Sequence, residues 1–317
     1  MSIERKMNYA GNVYKISADE QISIYKMEDE TGEGTMTCFH VLPGIDLIYN
    51  DFHMQSCLPY LDAKAGMVCI DHCREGRLER EFRKGSYIYM QEGDLQITDG
   101  NHYDGRYSLP LSHYHGISVC IHIHEAKKTL EKILGGIPVD LAEFKSKFCS
   151  GDKPFIMRAS DSVQHIFYDL YDTPDKTRMP YFKIKVLELI LFLSGAKVSE
   201  RGEERPYFYQ THVKSTKEML KFLKKNVESS YTLDELSEKF DIPLTSMKNC
   251  FKGIYGTSIY SYIRAYRMQT AAYMLRTTNQ SITTIASNVG YSNPSKFSAA
   301  FKKIMGMSPI KYRKTFV

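Results

Sequence analysis

Hydrophobic and polar positions alternate with two different periods along this chain. From about residue 12 to 125, short apolar runs are cut by turn residues, which predicts strands over 37–42, 47–50, 67–73, 85–90 and 117–124. Gly32, Pro43 and Gly44, Gly76, Gly85, Gly93 and Asp94, and Asp99 and Gly100 supply the punctuation. Strands this closely spaced form a small barrel or sandwich. The spacing then turns helical. Residues 125–134 predict a helix closed at Gly135 and Gly136, and a second runs from a cap at Ser160 or Asp161 through Tyr171. A third follows Pro180, carries Ile184, Leu187, Ile190 and Leu191 on one stripe, and ends at Gly195.

The last third repeats its own pattern. Leu233, Leu236, Ser237, Phe240 and Asp241 recur 49 positions on as Ile282, Ile285, Ala286, Val289 and Gly290; Met247, Phe251, Gly256 and Ser258 recur 50 positions on as Phe297, Phe301, Gly306 and Ser308. A duplication fixes the structural unit, here a short helix, a tight turn and a second helix. Thr232 caps the first helix, with Asp234 and Glu235 in the turn where the helix dipole favours acids. Pro243 opens the second helix, and Ser281 and Pro294 hold the same places in the second copy. With Met247 and Phe251 inward, Thr245, Lys248, Asn249 and Lys252 point out; with Phe297 and Phe301 inward, Ser295, Lys296, Ser298 and Lys302 do. Between the copies, residues 258–276 predict one helix burying Ile259, Tyr262, Ile263 and Tyr266.

Charge follows the same division. Residues 242–317 contain no Asp or Glu and eleven Lys and Arg. Residues 214–317 have a balance of +11 and the rest −6, within a net charge of +5. A basic module in an otherwise mildly acidic chain points that module at nucleic acid. The seven cysteines are odd in number and irregularly spaced, and the start, MSIERKMNYAGNVYK, has no apolar core. These features predict a cytosolic chain with reduced thiols and no membrane association.

The repeat resembles the AraC/XylS family of bacterial transcription regulators. The resemblance rests on Thr232, Leu236 and Ser237; Phe251, Lys252 and Gly256; Arg267, Ala271 and Leu275; Ile282, Ile285 and Ala286; and Gly290, Tyr291 and Ser292. It extends through Phe297, Ser298, Phe301, Lys302, Lys303, Gly306, Ser308, Pro309, Tyr312 and Arg313. It implies a seven-helix module whose two recognition helices enter successive major-groove segments about one helical turn, roughly 34 Å, apart. The positions matching the family's base contacts are Thr245, Lys248 and Asn249 in the first unit and Asn293, Ser295, Lys296 and Ser298 in the second. Lys252, Lys302, Lys303 and Arg313 match phosphate contacts. Pro294 and Ala299 depart from the pattern, because neither side chain can hydrogen-bond a base, so most direct readout is expected from the first unit.

The fold expected is α+β in two domains: an N-terminal β-rich, cupin-like barrel with following helices, and a C-terminal all-α tandem helix-turn-helix domain. The boundaries read as 1–196 for effector binding or dimerisation (β-rich 12–125, helical 126–196), 197–212 for a linker and 213–317 for DNA binding. Within the last, the first helix-turn-helix spans 232–256, the linker helix 258–276 and the second helix-turn-helix 282–306. The family plan implies a small-molecule effector, double-stranded DNA, RNA polymerase and a possible homodimer as partners; no cofactor is expected and no catalysis is required.

Candidate effector contacts are Arg74, Arg80, His113 and His115; with Arg77, the arginines suit an anionic ligand, and a charged hairpin rim accounts for them as well. His113 with His115, and His122 with His124, would each share a strand face. On adjacent strands the four could hold a transition metal, yet the spacing lacks the Glu of the cupin metal motif, so no metal site is assigned. Cys69 and Cys73 around His72 invite comparison with alkyl-transfer repair regulators, with structural thiols as the default. The alternatives to an effector-gated regulator are a cupin-like metal-binding enzyme domain tethered to DNA and an effector-independent regulator.

Overall fold

The computed structural model describes residues 6–8, 13–57, 66–82, 85–99, 107–135, 139–151, 154–159, 161–196 and 207–316. The chain divides into two units, Met1–Tyr207 and Phe208–Val317. The stretch 197–206, most of the expected linker, lies outside the described residues, as do Gly136 and Ser160.

The first unit is an antiparallel half-barrel sheet covered on one face by helices. Its strands are β1 (Lys6–Asn8), β2 (Val13–Ala18), β3 (Ile22–Asp29), β4 (Gly32–Leu42), β5 (Ile45–His53), β6 (Ser56–Cys57), β7 (Met67–Phe82), β8 (Ser86–Gln91), β9 (Asp94–Asp99), β10 (Tyr107–Ser108), β11 (Tyr114–His122) and β12 (Phe155–Arg158). They pair in the order β1-β2-β3-β4-β5-β11-β7, and the sixteen-residue β7 also pairs with β8, β9 and β10. The period-2 pattern feeds two cores, because alternate residues face opposite ways. Phe39, Leu47, Ile70, Ile117 and Val119 meet the helices α1 (Ile123–Leu134), α2 (Leu141–Cys149), α3 (Asp161–Tyr171) and α4 (Arg178–Gly195), through Phe144, Phe148, Phe167 and Phe182. Met36, Phe52, Cys73, Leu78, Tyr107 and Tyr114 fill the barrel side.

Several expectations are corrected here. Helix α1 begins at Ile123, inside the segment read as strand, and β12 falls inside the segment read as helical, where it pairs with β9. Helix α2 was not foreseen; Asp140 caps it, its carboxylate accepting from the backbone of Ala142 and Glu143. On α4 the buried stripe is Phe182, Val186, Leu189, Ile190 and Leu193, whereas Ile184 is exposed. Lys185 shifts the phase: it lies on the covered face because Asp169 and Glu188 pair with its ammonium at 2.8 and 2.9 Å.

The second unit is all α among its described residues apart from a two-residue strand at its start: α5 (Gln210–Lys225), α6 (Leu233–Lys239), α7 (Leu244–Tyr255), α8 (Ile259–Thr277), α9 (Ile282–Asn288), α10 (Pro294–Met305) and α11 (Pro309–Phe316). Helix α5 takes up Gln210 to His212, which the sequence reading had given to the linker. On α8 the buried residues are Ile259, Met268, Ala271, Ala272 and Leu275; Tyr262, Ile263 and Tyr266 are half-buried. The small alanines let α8 approach the helices it packs on. No helix among the described residues is long and apolar enough to cross a membrane.

Candidate nucleic-acid interface

Local chemistry sets each helix-turn-helix. Thr232 and Glu235 form a capping box at α6: the Thr232 backbone donates to the Glu235 carboxylate at 2.8 Å, and the Glu235 backbone donates to the Thr232 hydroxyl at 3.2 Å. The Ser237 hydroxyl donates to the Ile242 carbonyl at 2.7 Å, tying α6 to the following turn. Ser281 caps α9, and Asn293 caps α10, its side-chain oxygen accepting from Ser295 and Lys296 at 2.9 and 3.0 Å. Pro294 fills the first position of α10, where the missing amide proton costs nothing.

The turns of the two copies use one backbone shape and different residues. Asp241 and Gly290, matched by the repeat, both take positive φ, 47° and 81°. Asp241 is exposed, so its side chain is tolerated. At Gly290 an added Cβ would lie 2.6 Å from the Glu228 carbonyl oxygen and 2.9 Å from the Arg267 guanidinium. Arg267, on α8, donates to the carbonyls of Val227 and Ser229 at 2.9 and 2.7 Å. One side chain thereby holds the loop entering the first unit and lies against the turn of the second. In the sequence Arg267 belongs to the family pattern, and nothing local to it signals this bracing role.

The outer faces are now defined. Helix α7 buries Met247, Cys250, Phe251 and Ile254 and exposes Thr245, Lys248, Asn249 and Lys252. Helix α10 buries Phe297 and Phe301 and exposes Ser295, Lys296, Ala299, Lys302 and Lys303; Ser298 is half-buried. Two positions are engaged within the fold: the Asn293 oxygen serves its cap, and Arg313 donates to the Gln280 carbonyl at 2.6 Å. What remains is a row of hydroxyl, amide and ammonium groups on α7 and of hydroxyl and ammonium groups on α10, in sequence free of acids from Ile242 onward. Ammonium groups neutralise phosphates, and a lysine or asparagine on a groove-facing helix can donate to guanine or pair with adenine.

Comparison with known proteins agrees with this geometry. A family model described as a helix-turn-helix domain matches residues 236–315. The TetD protein of transposon Tn10 from Escherichia coli is 31% identical over 105 residues, covering 33% of this chain and 76% of that protein. A putative AraC-like transcription regulator of Streptomyces lividans is 34% identical over 85 residues, covering 27% of this chain and 28% of that protein. The chain belongs to the AraC/XylS family. This chain's matches span less than a third of the length of the two Streptomyces regulators, 28% and 31%. Among solved structures, the C-terminal domain of AraT, a response regulator from Geobacillus stearothermophilus, is 31% identical and covers 32% of this chain and 84% of that chain, with a TM-score of 0.31. Apo ToxT from Vibrio cholerae is 12% identical and covers 87% of this chain and 99% of that chain, also at 0.31.

The β-rich unit of this AraC/XylS chain holds a cavity of about 660 Å³ on the helix-facing side of its sheet. Arg74 and His115 line it; Arg80 and His113 do not. Arg80 is buried over Tyr107, 5.9 Å from its ring, on the barrel side, and the His113 ring nitrogen Nδ1 lies 3.1 Å from the Leu111 carbonyl. Residues not foreseen there are Asp51, Tyr171 and Arg178: Arg74 lies 4.7 Å from the Tyr171 ring, and Arg178 lies 5.8 Å from the Phe39 ring and pairs with Asp175. Tyr49, which also lines the cavity, donates its hydroxyl to the Leu170 carbonyl.

The four-histidine metal arrangement is overturned. His115 and His122 lie on one strand, β11, not two, and are seven positions, about 23 Å of strand, apart. His124 is in α1, with His122 as its N-cap residue. The reactive-cysteine comparison also fails on geometry. Cys69 and Cys73 are both fully buried, Cys69 faces Cys120 across β7 and β11 with the sulfurs 2.8 Å apart, and burial pushes the Cys73 and Cys120 thiols up. His72 points to the opposite face, stacked 4.2 Å from Phe167, where burial lowers its pKa to about 4.

Proposed function

We propose that the chain is a cytoplasmic transcription regulator that reads operator DNA through α7 and α10 and is gated by a small molecule in the β-rich unit's cavity. The exposed row Thr245, Lys248 and Asn249 carries the first part of this reading: three side chains able to hydrogen-bond bases, presented by a helix whose other face is locked in the core. Helix α10 contributes Ser295 and Lys296, with Lys252, Lys302 and Lys303 on phosphates and shape readout covering the positions of Pro294 and Ala299. Separate effector-binding and DNA-binding domains, a homodimer and contact with RNA polymerase belong to the same reading by family resemblance. The cavity, with two guanidinium groups and aromatic rings, suits an anionic effector of modest size. Gating requires that the effector bind one state better than another.

Binding to a panel of operator variants tests the DNA part. Lys248→Ala is expected to lose about 1–3 kcal/mol of discrimination at one base pair. Lys302→Ala is expected to weaken all sites alike and reduce the salt dependence by about one phosphate contact. Equal, sequence-independent losses for both would remove α7 as the reading element.

A further inference from the structure

Beside the cavity, three side chains meet that no part of the DNA-binding reading uses. Asp51 and His53 share a face of β5, two residues apart, and His115 on β11 is the direct register partner of Asp51. The Asp51 Oδ1 lies 3.1 Å from His53 Nε2 and 3.5 Å from His115 Nδ1, and the three ligand atoms all fall within 4.8 Å of one another. The two imidazoles meet edge to face with centroids 5.0 Å apart.

The two separations from Asp51 match those of a tetrahedral metal centre. With metal–nitrogen and metal–oxygen bonds of about 2.0–2.2 Å, neighbouring ligand atoms in a tetrahedron are about 3.4 Å apart. The two Asp51 distances, 3.1 and 3.5 Å, bracket that value. Two imidazoles and a carboxylate are a donor set that suits zinc and its neighbours rather than calcium or magnesium. The backbone bearing all three ligands is fixed by ladder pairing of β5 with β4 and β11, so the ligand positions do not depend on a loop. Glu75 stands across from His115 and adds a carboxylate to the neighbourhood, whereas Glu33, across from His53, is paired with Lys26 at 2.6 Å.

We propose that Asp51 Oδ1, His53 Nε2 and His115 Nδ1 bind one divalent transition-metal ion of the zinc class. Asp51 and His115 line the cavity, so the fourth coordination position opens into it and is available to a donor atom of a small ligand. This places the site on the helix-facing side of the sheet, away from the barrel interior of Met36, Phe52 and Tyr114. A second cluster, Cys38, His40 and Asp46, is a weaker candidate. There Ser23 engages His40 Nε2 at 3.1 Å, Asp46 also meets His122 at 3.7 Å, and Cys38 is buried.

Zinc chloride titrated into the full-length chain and followed by calorimetry, without DNA or effector, tests the site independently of any gating role. One ion per chain is expected. His53→Ala and Asp51→Asn are each expected to weaken binding about a hundredfold, since loss of even an outer-shell partner costs 10–100-fold. His40→Ala is expected to leave it unchanged. His53 and Asp51 are both more than half exposed, so the variants keep the core, and far-UV circular dichroism verifies that they remain folded. Absence of zinc uptake by the folded wild type, unchanged uptake in both folded variants, or a loss that follows His40→Ala instead would each overturn the assignment.

Discussion

Gly290→Ala and Gly306→Ala change the same chemistry in two different surroundings. Both glycines have positive φ, 81° and 78°, so both substitutions cost about 1–2 kcal/mol for placing a Cβ in the left-handed region. At Gly306 nothing lies within 4 Å of the added atom. At Gly290 it would stand 2.6 Å from a backbone oxygen and 2.9 Å from the Arg267 guanidinium, and the guanidinium is the part able to give way. Its withdrawal breaks at least one of the bonds to Val227 and Ser229, each worth about 1.5–3 kcal/mol as a charge-assisted hydrogen bond. The expected losses are therefore about 2.5–5 kcal/mol for Gly290→Ala and about 1–2 kcal/mol for Gly306→Ala. Urea unfolding of the full-length chain, with hydrogen exchange read on α6, α9 and α10, measures both. Because Arg267 holds the loop before α6, exchange in α6 should rise in Gly290→Ala and not in Gly306→Ala. Equal losses, or an α6 indifferent to position 290, would show that Arg267 does not couple the two repeats.

Other expectations follow from single interactions. Thr232→Ala removes the capping box and should cost about 1 kcal/mol, visible as faster amide exchange in the first turn of α6. The His72 pKa is lowered from 6.5 to about 4, so the unfolded chain takes up its proton first; stability should be unaffected above about pH 6.5 and fall by up to about 3 kcal/mol as pH drops toward 4. His72→Phe, which keeps the stack on Phe167, should flatten that part of the stability profile relative to wild type; identical profiles would sink the assignment. Cys69, Cys73 and Cys120 should resist a thiol reagent in the folded chain and react on unfolding, and rapid native labelling would contradict their burial.

What was legible in the sequence was what neighbours in the chain decide. Thr232, Ser281 and Pro294 announce helix starts through their own side chains, and the outward positions of α7 and α10 follow from Met247, Phe251, Phe297 and Phe301 at helical spacing. Illegible were features whose cause lies far away. The four residues of β12 become a strand because β9 offers a free edge, and Lys185 turns inward because Asp169 on another helix meets it. The histidine pairs failed for the same reason: spacing tells which face a residue takes, but not where the strand ends or what stands opposite. Asp51 and His53 carried no local signal, and only pairing with a strand more than sixty residues later brings them to His115.

The repeat shows how both kinds of information meet at one position. Its inward residues are kept because each copy must bury the same kind of face, and both turns need the left-handed shape at the position of Asp241 and Gly290. The shape alone admits Asp, which tolerates it, as well as Gly. In the second copy the turn lies against Arg267 of α8, and that contact leaves no space for a Cβ. The choice between Asp and Gly is thus set by the long-range brace and not by the turn. Exchanging the residues should be asymmetric: Asp241→Gly is tolerated, and Gly290→Asp displaces Arg267 and loosens both helix-turn-helix units together.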